Sequence, residues 1–177
     1  GKDRFMYNYH VFVKMKYPDG WEQKVKNAPV KFFEESKYHS TKYVKYFSIY
    51  DQLFKKFRNK KITIIEIGIL NGGSLHMWKK YFGKKARIIG IDLNPKTKKL
   101  EKDGFEIFNG DQTDKNFWIK LFKKIGMVDI IIDDGGHTNL QQSLTAIYTI
   151  PFIKNNGLLG IEDTHSSYQK EFNNHFK

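Results

Sequence analysis

From Lys61 onward the chain alternates between short apolar runs and helical patterns, and this alternation restricts the fold more than any other feature. The pattern predicts a strand over 61–67, a helix over 73–82, a strand over 86–92 and a short strand over 105–108. It continues with a helix over 114–124, a strand over 128–132, a helix over 139–150 and a strand over 157–161. Strands that alternate with helices call for a parallel sheet joined by right-handed crossovers. The expected class is therefore α/β, a Rossmann-like, doubly wound, mostly parallel sheet. Upstream, Tyr43, Val44, Phe47, Tyr50, Phe54 and Phe57 recur at helical spacing, predicting a helix over 41–57 with Ser40 or Thr41 as N-cap. Residues 1–33 read as an N-terminal extension, a hairpin about Pro18-Asp19-Gly20, and residues 34–177 as the main domain.

The chemistry-bearing residues gather where these strands end. The first strand runs into Glu66-Ile67-Gly68-Ile69-Leu70-Asn71-Gly72-Gly73-Ser74, and later strands end in Asp133-Asp134-Gly135-Gly136-His137 and Glu162-Asp163. In an open parallel sheet all three would meet at the carboxyl edge, where such folds bind ligands. Gly68 and Gly72 lack a β-carbon and let backbone approach a ligand, while a helix beginning near Gly73-Ser74 offers free N–H groups to an anion. Asp92, ending Gly90-Ile91-Asp92, stands where an acid commonly accepts ribose hydroxyls. That feature suits NAD and S-adenosylmethionine alike. The turn lacks the Gly-x-Gly-x-x-Gly of pyrophosphate binders, and Glu66 favours a cationic or hydroxyl-bearing ligand over a diphosphate. Gly110-Asp111-Gln112 either reads an adenine edge or belongs to a helix N-cap before Asp114.

Asp134, Glu162 and Asp163 are hard oxygen donors from two strand ends. Brought together without a cation, three carboxylates repel one another, so a divalent ion is expected, with Mg²⁺, Mn²⁺ or Ca²⁺ favoured over zinc. The bland alternative is that one of them caps a helix. His137, three residues past Asp134 across Gly135-Gly136, is the candidate general base. His165 is a lesser candidate for substrate contact.

Composition adds limits. No cysteine is present among the 177 residues, which excludes disulfides and thiolate metal sites. No apolar run is long enough to span a bilayer and no signal-peptide pattern opens the chain, so a cytoplasmic protein is expected. The chain begins at Gly1 rather than Met, which allows for a missing N-terminal region. The formal charge of +12 suggests either a polyanionic partner or a lysine-rich habit. The lysines spread along the chain without a compact Arg/aromatic stripe, so nucleic acid is not the expected partner.

Taken together, these segments resemble the class I S-adenosylmethionine-dependent methyltransferases. More narrowly, the chain is similar to the metal-dependent sugar O-methyltransferases of macrolide and bacterial surface-polysaccharide biosynthesis. The resemblance rests on Glu66-Ile67-Gly68, Gly72-Gly73-Ser74-Leu75, Met77-Trp78-Lys79-Lys80-Tyr81-Phe82, Gly90-Ile91-Asp92, Gly110-Asp111-Gln112, Ile132-Asp133-Asp134-Gly135-Gly136-His137 and Ile161-Glu162-Asp163. It implies S-adenosylmethionine held by Glu66, Gly68, Gly72, Ser74, Asp92, Asp111, Gln112 and Asp133. It implies Mg²⁺ (or Mn²⁺) on Asp134, Glu162 and Asp163, and His137 and Asp134 as catalytic residues. The implied acceptor is a sugar or nucleotide sugar, and a homo-oligomer is left open. A complete fold of this class adds two strands after the fifth. Too few residues follow Ile161 for that pair, so a core lacking the C-terminal strands, or one borrowing a strand, is expected. The competing readings are a catechol-type O-methyltransferase, an RNA-binding protein or RNA methyltransferase, and an NAD-dependent oxidoreductase. Polar Thr164-His165-Ser166-Ser167 fits a polyol better than an aromatic ring.

Overall fold

The structure, a computed structural model, describes residues 42 and 44–168. The expected N-terminal hairpin, the Ser40/Thr41 cap and everything after Tyr168 lie outside the described residues. Those described fall into two compact units, one of residues 42–61 and 70–86, the other of residues 62–69 and 87–168.

The first unit is built on helices α1 (Val44–Phe54) and α2 (Gly73–Phe82), with a 3-10 turn over Lys55–Phe57. Phe47, Tyr50 and Phe54 on α1 follow helical spacing and are buried with Trp78, Tyr81 and Phe82 of α2. Their rings interlock: Tyr50 meets Trp78 edge-on at 5.0 Å between centroids, and Trp78 stacks on Phe82 at 5.7 Å. The Tyr81 hydroxyl donates to Asp51 at 3.0 Å, and burial together with that carboxylate pushes its pKa far up.

The second unit is a five-stranded sheet of order β3-β2-β1-β4-β5, every pair parallel. The strands are β1 (Thr63–Ile67), β2 (Arg87–Asp92), β3 (Glu106–Asn109), β4 (Val128–Asp133) and β5 (Ile153–Ile161). Helices α3 (Lys115–Ile125) and α4 (Asn139–Thr149) connect the last three. Continuous isoleucine runs make strands buried on both faces, as parallel sheets require. Ile65, Ile67, Ile89, Ile91 and Ile131 pack with Trp118, Leu121, Phe122 and Ile125 of α3. Burial of each such side chain contributes about 1.5–3 kcal/mol. Caps fix the helix starts: Asp114 accepts from Asn116 N–H, and Thr138 with Gln141 forms a reciprocal capping box before α4.

The expected elements are present within a few residues, with two differences. A nine-residue 3-10 segment over Pro95–Asp103 occupies what the periodicity left blank, because Leu100 is its one large apolar side chain and a single position shows no period. Strand β5 begins four residues earlier than expected, at Ile153. The pairing with β4 shifts between Val128 and Ile130, and Asn156 takes φ 66° at that irregularity, so polar Asn155-Asn156 no longer marks the strand's start.

Candidate active site and metal centre

Register determines the site. Ile67 pairs with Ile91 on one side and Asp133 on the other, and Asp133 pairs with Ile161. The four strand ends are therefore level: Asp92 ends β2, and Gly68, Asp134 and Glu162 directly follow β1, β4 and β5. The sheet order reverses between β1 and β4, the switch point where parallel sheets open a crevice.

The chain after β1 presses closely on the chain after β4. Asp134 N–H donates to Ile67 O at 3.0 Å, and Gly68 N–H donates to Ile91 O at 2.8 Å. Gly68 has φ +78°, and a β-carbon there would lie 2.1 Å from Asp134 O. Only glycine fits. Asp92 turns its carboxylate to the same turn: Oδ2 accepts from Ile69 N–H at 3.1 Å and Oδ1 from Asn94 N–H at 2.8 Å. These bonds fix the orientation of the Asp92 carboxylate at the turn. Glu66 is fully buried on β1. Gly72 and Ser74 belong to the first unit, where Gly72, at φ 84°, precedes α2 without a side-chain cap.

Asp134, His137 and Asp163 each offer a ligand atom, and these atoms all lie within 4.8 Å of one another. His137 Nε2 is 3.7 Å from Asp163 Oδ2 and 3.9 Å from Asp134 Oδ1. All three side chains are partly buried, which sharpens the repulsion between the two carboxylates. His137 and Asp163 both take left-handed backbone, at φ 56° and 54°, a conformation that costs a non-glycine residue roughly 1–3 kcal/mol. Strain at two of three converging residues is what a functional loop displays. The loops are locked together: Ser166 Oγ donates to His137 O at 2.6 Å, and Ser166 N–H donates to Asp163 O at 3.0 Å. Two carboxylates at this spacing, with an imidazole beside them, fit a divalent cation.

The expected residues divide accordingly. Asp134, His137 and Asp163 come together, while the Glu162 carboxylate lies outside that group on a residue only 5% exposed. Gln112 and Asp133 form an internal brace. Gln112 Nε2 donates to both Asp133 oxygens at 3.0–3.1 Å and to Thr145 Oγ1 at 2.9 Å, and Oε1 accepts from Gly136 N–H at 2.9 Å. Trp118 Nε1 holds the Gln112 carbonyl at 2.8 Å. Burial pushes the Asp133 carboxyl above the usual carboxylate range, opposed by bonds from Thr145, Gly135 N–H and Gln112. Asp111 is exposed and accepts from Thr113 N–H and Oγ1 in a tight turn. Ser166, within the polar run 164–167, is buried, and its hydroxyl pins the His137 loop. Thr145 had no sequence signal; one helical threonine among several gives no sign that it faces Gln112.

This sheet order, with the glycine turn and acidic strand ends, is the class I S-adenosylmethionine-dependent methyltransferase fold. Within that class the chain resembles the sugar O-methyltransferases of natural-product biosynthesis. Mycinamicin VI 2''-O-methyltransferase of Micromonospora griseorubida is 32% identical over 130 residues, covering 70% of this chain and 32% of that protein. A rhamnosyl tetracenomycin-C 2'-O-methyltransferase of Streptomyces olivaceus is 35% identical over 135 residues, covering 72% and 35%. The chain spans about a third of the length of these relatives. The MycE methyltransferase of the mycinamycin pathway, solved with Mg and SAH, superposes with a TM-score of 0.68 at 31% identity, covering 72% of this chain and 36% of that one. The SAH-bound Podospora anserina methyltransferase PaMTH1, at 15% identity and TM-score 0.54, shares the fold alone. No family model matches the chain.

Proposed function

We propose that this chain is the cofactor- and metal-binding core of an S-adenosylmethionine-dependent, divalent-metal-assisted O-methyltransferase acting on a sugar hydroxyl. The observation that carries the reading is the convergence of Asp134, His137 and Asp163 at the carboxyl edge, beside the turn that Gly68 presses against Asp134. The similarity to enzymes whose names specify sugar hydroxyls supports it. The acceptor is assigned to a nucleotide-activated sugar or a glycan precursor, and magnesium or manganese to the metal.

Asp134 and Asp163 hold the metal, and Glu162, adjacent to Asp163, is retained as a further ligand. The bound ion supplies positive charge beside the acceptor oxygen and lowers that oxygen's pKa. S-Adenosylmethionine supplies the methyl group. His137 Nε2 takes the hydroxyl proton, leaving the two carboxylates beside it to hold the metal. Asp92 accepts the cofactor ribose hydroxyls, Glu66 orients the cationic end, and Asp111 faces the adenine. Gly72 and Ser74 begin the helix that follows the turn.

Calorimetric titration with S-adenosylhomocysteine and with NAD, each with and without Mg²⁺, tests the reading. Binding of the former alone is expected; binding of NAD alone, or of neither, overturns it. Manganese titration followed by electron paramagnetic resonance tests the ligand set. Asp163→Asn should weaken the metal at least ~10-fold, and unchanged affinity in Glu162→Gln removes Glu162 from it.

A further inference from the structure

Although lysines occur along the whole chain, two segments are dense in them and contain no acid. Lys55-Lys56-Phe57-Arg58-Asn59-Lys60-Lys61 and Lys79-Lys80-Tyr81-Phe82-Gly83-Lys84-Lys85 share a Lys-Lys-x-x-x-Lys-Lys pattern and contain nine Lys/Arg with no acid. The two segments end α1 and α2 and immediately precede β1 and β2 in the chain. The fold ties them side by side. Asn59 N–H donates to Phe82 O at 2.8 Å, Arg58 Nε donates to Tyr81 O at 3.3 Å, and Asn59 Oδ1 would be 2.6 Å from a β-carbon at Gly83. All nine cationic residues are exposed. A lysine-rich habit alone would distribute acids and bases alike, yet residues 62–69 and 87–168 carry more Asp and Glu than Lys and Arg.

We propose that this doubled lysine surface docks the protein on an anionic lipid bilayer, independently of the catalytic reading above. Three observations select lipid over nucleic acid. Eight of the nine cations are lysines, and the single arginine is engaged with the carbonyl of Tyr81 and lies over its ring. Tyr81 and Phe82 are buried and Lys56 lies over the half-buried Phe57 ring, so the two segments offer little aromatic face on which bases could stack. Ile49 and Leu53, one turn apart on α1, are 48% and 44% exposed directly before Lys55-Lys56. Exposed aliphatic side chains beside a lysine cluster suit the boundary between headgroups and acyl chains.

Flotation of the full chain with vesicles tests this, comparing phosphatidylcholine alone with phosphatidylcholine containing phosphatidylserine, at low and high salt. Expected is salt-sensitive binding to the anionic vesicles only, weakened more than ~10-fold by K55Q/K56Q/K84Q/K85Q and also reduced by I49S/L53S. A charge-matched control, K96Q/K99Q/K102Q/K123Q, should bind as the parent does, and circular dichroism melts verify that each variant folds. Absence of binding to anionic vesicles overturns the proposal. So does an equal loss in the charge-matched control, or tighter binding to single-stranded RNA than to the vesicles.

Discussion

A β-carbon on Gly68 would stand 2.1 Å from the carbonyl oxygen of Asp134, so the loop after β1 and the loop after β4 share one space that no other residue leaves open. The contact is backbone on backbone, and neither side can give by rotating a side chain. Gly126 offers a control: it has a similar φ, +76°, with nothing within 4 Å of an added β-carbon. Gly126→Ala should cost about 1–2 kcal/mol for its backbone conformation alone. Gly68→Ala should cost more, about 2–4 kcal/mol, and weaken metal binding by displacing Asp134. Urea denaturation of both variants, with manganese titration of the second, checks the difference.

His137 and Asp92 lie on different loops and should fail differently. His137→Ala is expected to lower turnover on the order of 100-fold or more while S-adenosylhomocysteine affinity is kept. Asp92→Ala should lose affinity for that ligand first, because its carboxylate orients the turn through Ile69 and Asn94 and is the proposed acceptor for the ribose hydroxyls. Equal losses of cofactor affinity in the two variants would refute the division.

Gln112 is the centre of a buried brace. Gln112→Leu deprives Asp133 and Thr145 of a donor and Gly136 N–H of its acceptor. A loss of about 2–4 kcal/mol in stability is expected, since buried polar groups are left unsatisfied. Denaturant unfolding measures it. A change below ~1 kcal/mol would mean that the brace is not structural.

Arg87 binds Glu106 through two parallel hydrogen bonds, and that guanidinium holds the Glu106 carboxyl below the usual range. A lowered folded-state pKa stabilises the protein above the unfolded value, and this contribution is lost as pH falls through the folded value. Glu106→Gln should therefore flatten the acid side of the stability profile. Both side chains are more than a third exposed, so the effect stays under about 1 kcal/mol. Thermal melts across the acid range should show wild type and variant converging as pH falls.

The fold was legible because its signals are local. Apolar runs of strand length and helical spacing identified every α-helix and strand among the described residues, and α2 matched residue for residue. The 3-10 segment over Pro95–Asp103 escaped because one large apolar side chain, Leu100, gives no period to read. The acidic strand ends were equally visible, since in a parallel sheet the residue after each strand stands at the ligand edge.

What the sequence determined by itself is thus the α/β class, the order of elements and the set of residues eligible for the site. Tertiary structure decided which of them meet. The direction of a loop side chain depends on left-handed backbone at His137 and Asp163 and on the Ser166 bond to His137 O, neither of which has a periodicity to read. The same holds for Gln112, turned inward by Asp133 and Thr145, and for the two lysine segments, neighbours only because Asn59 pairs with Phe82. Local patterning specifies what a segment becomes; the long-range hydrogen bonds and close packing that select its partners exist only once the chain has folded.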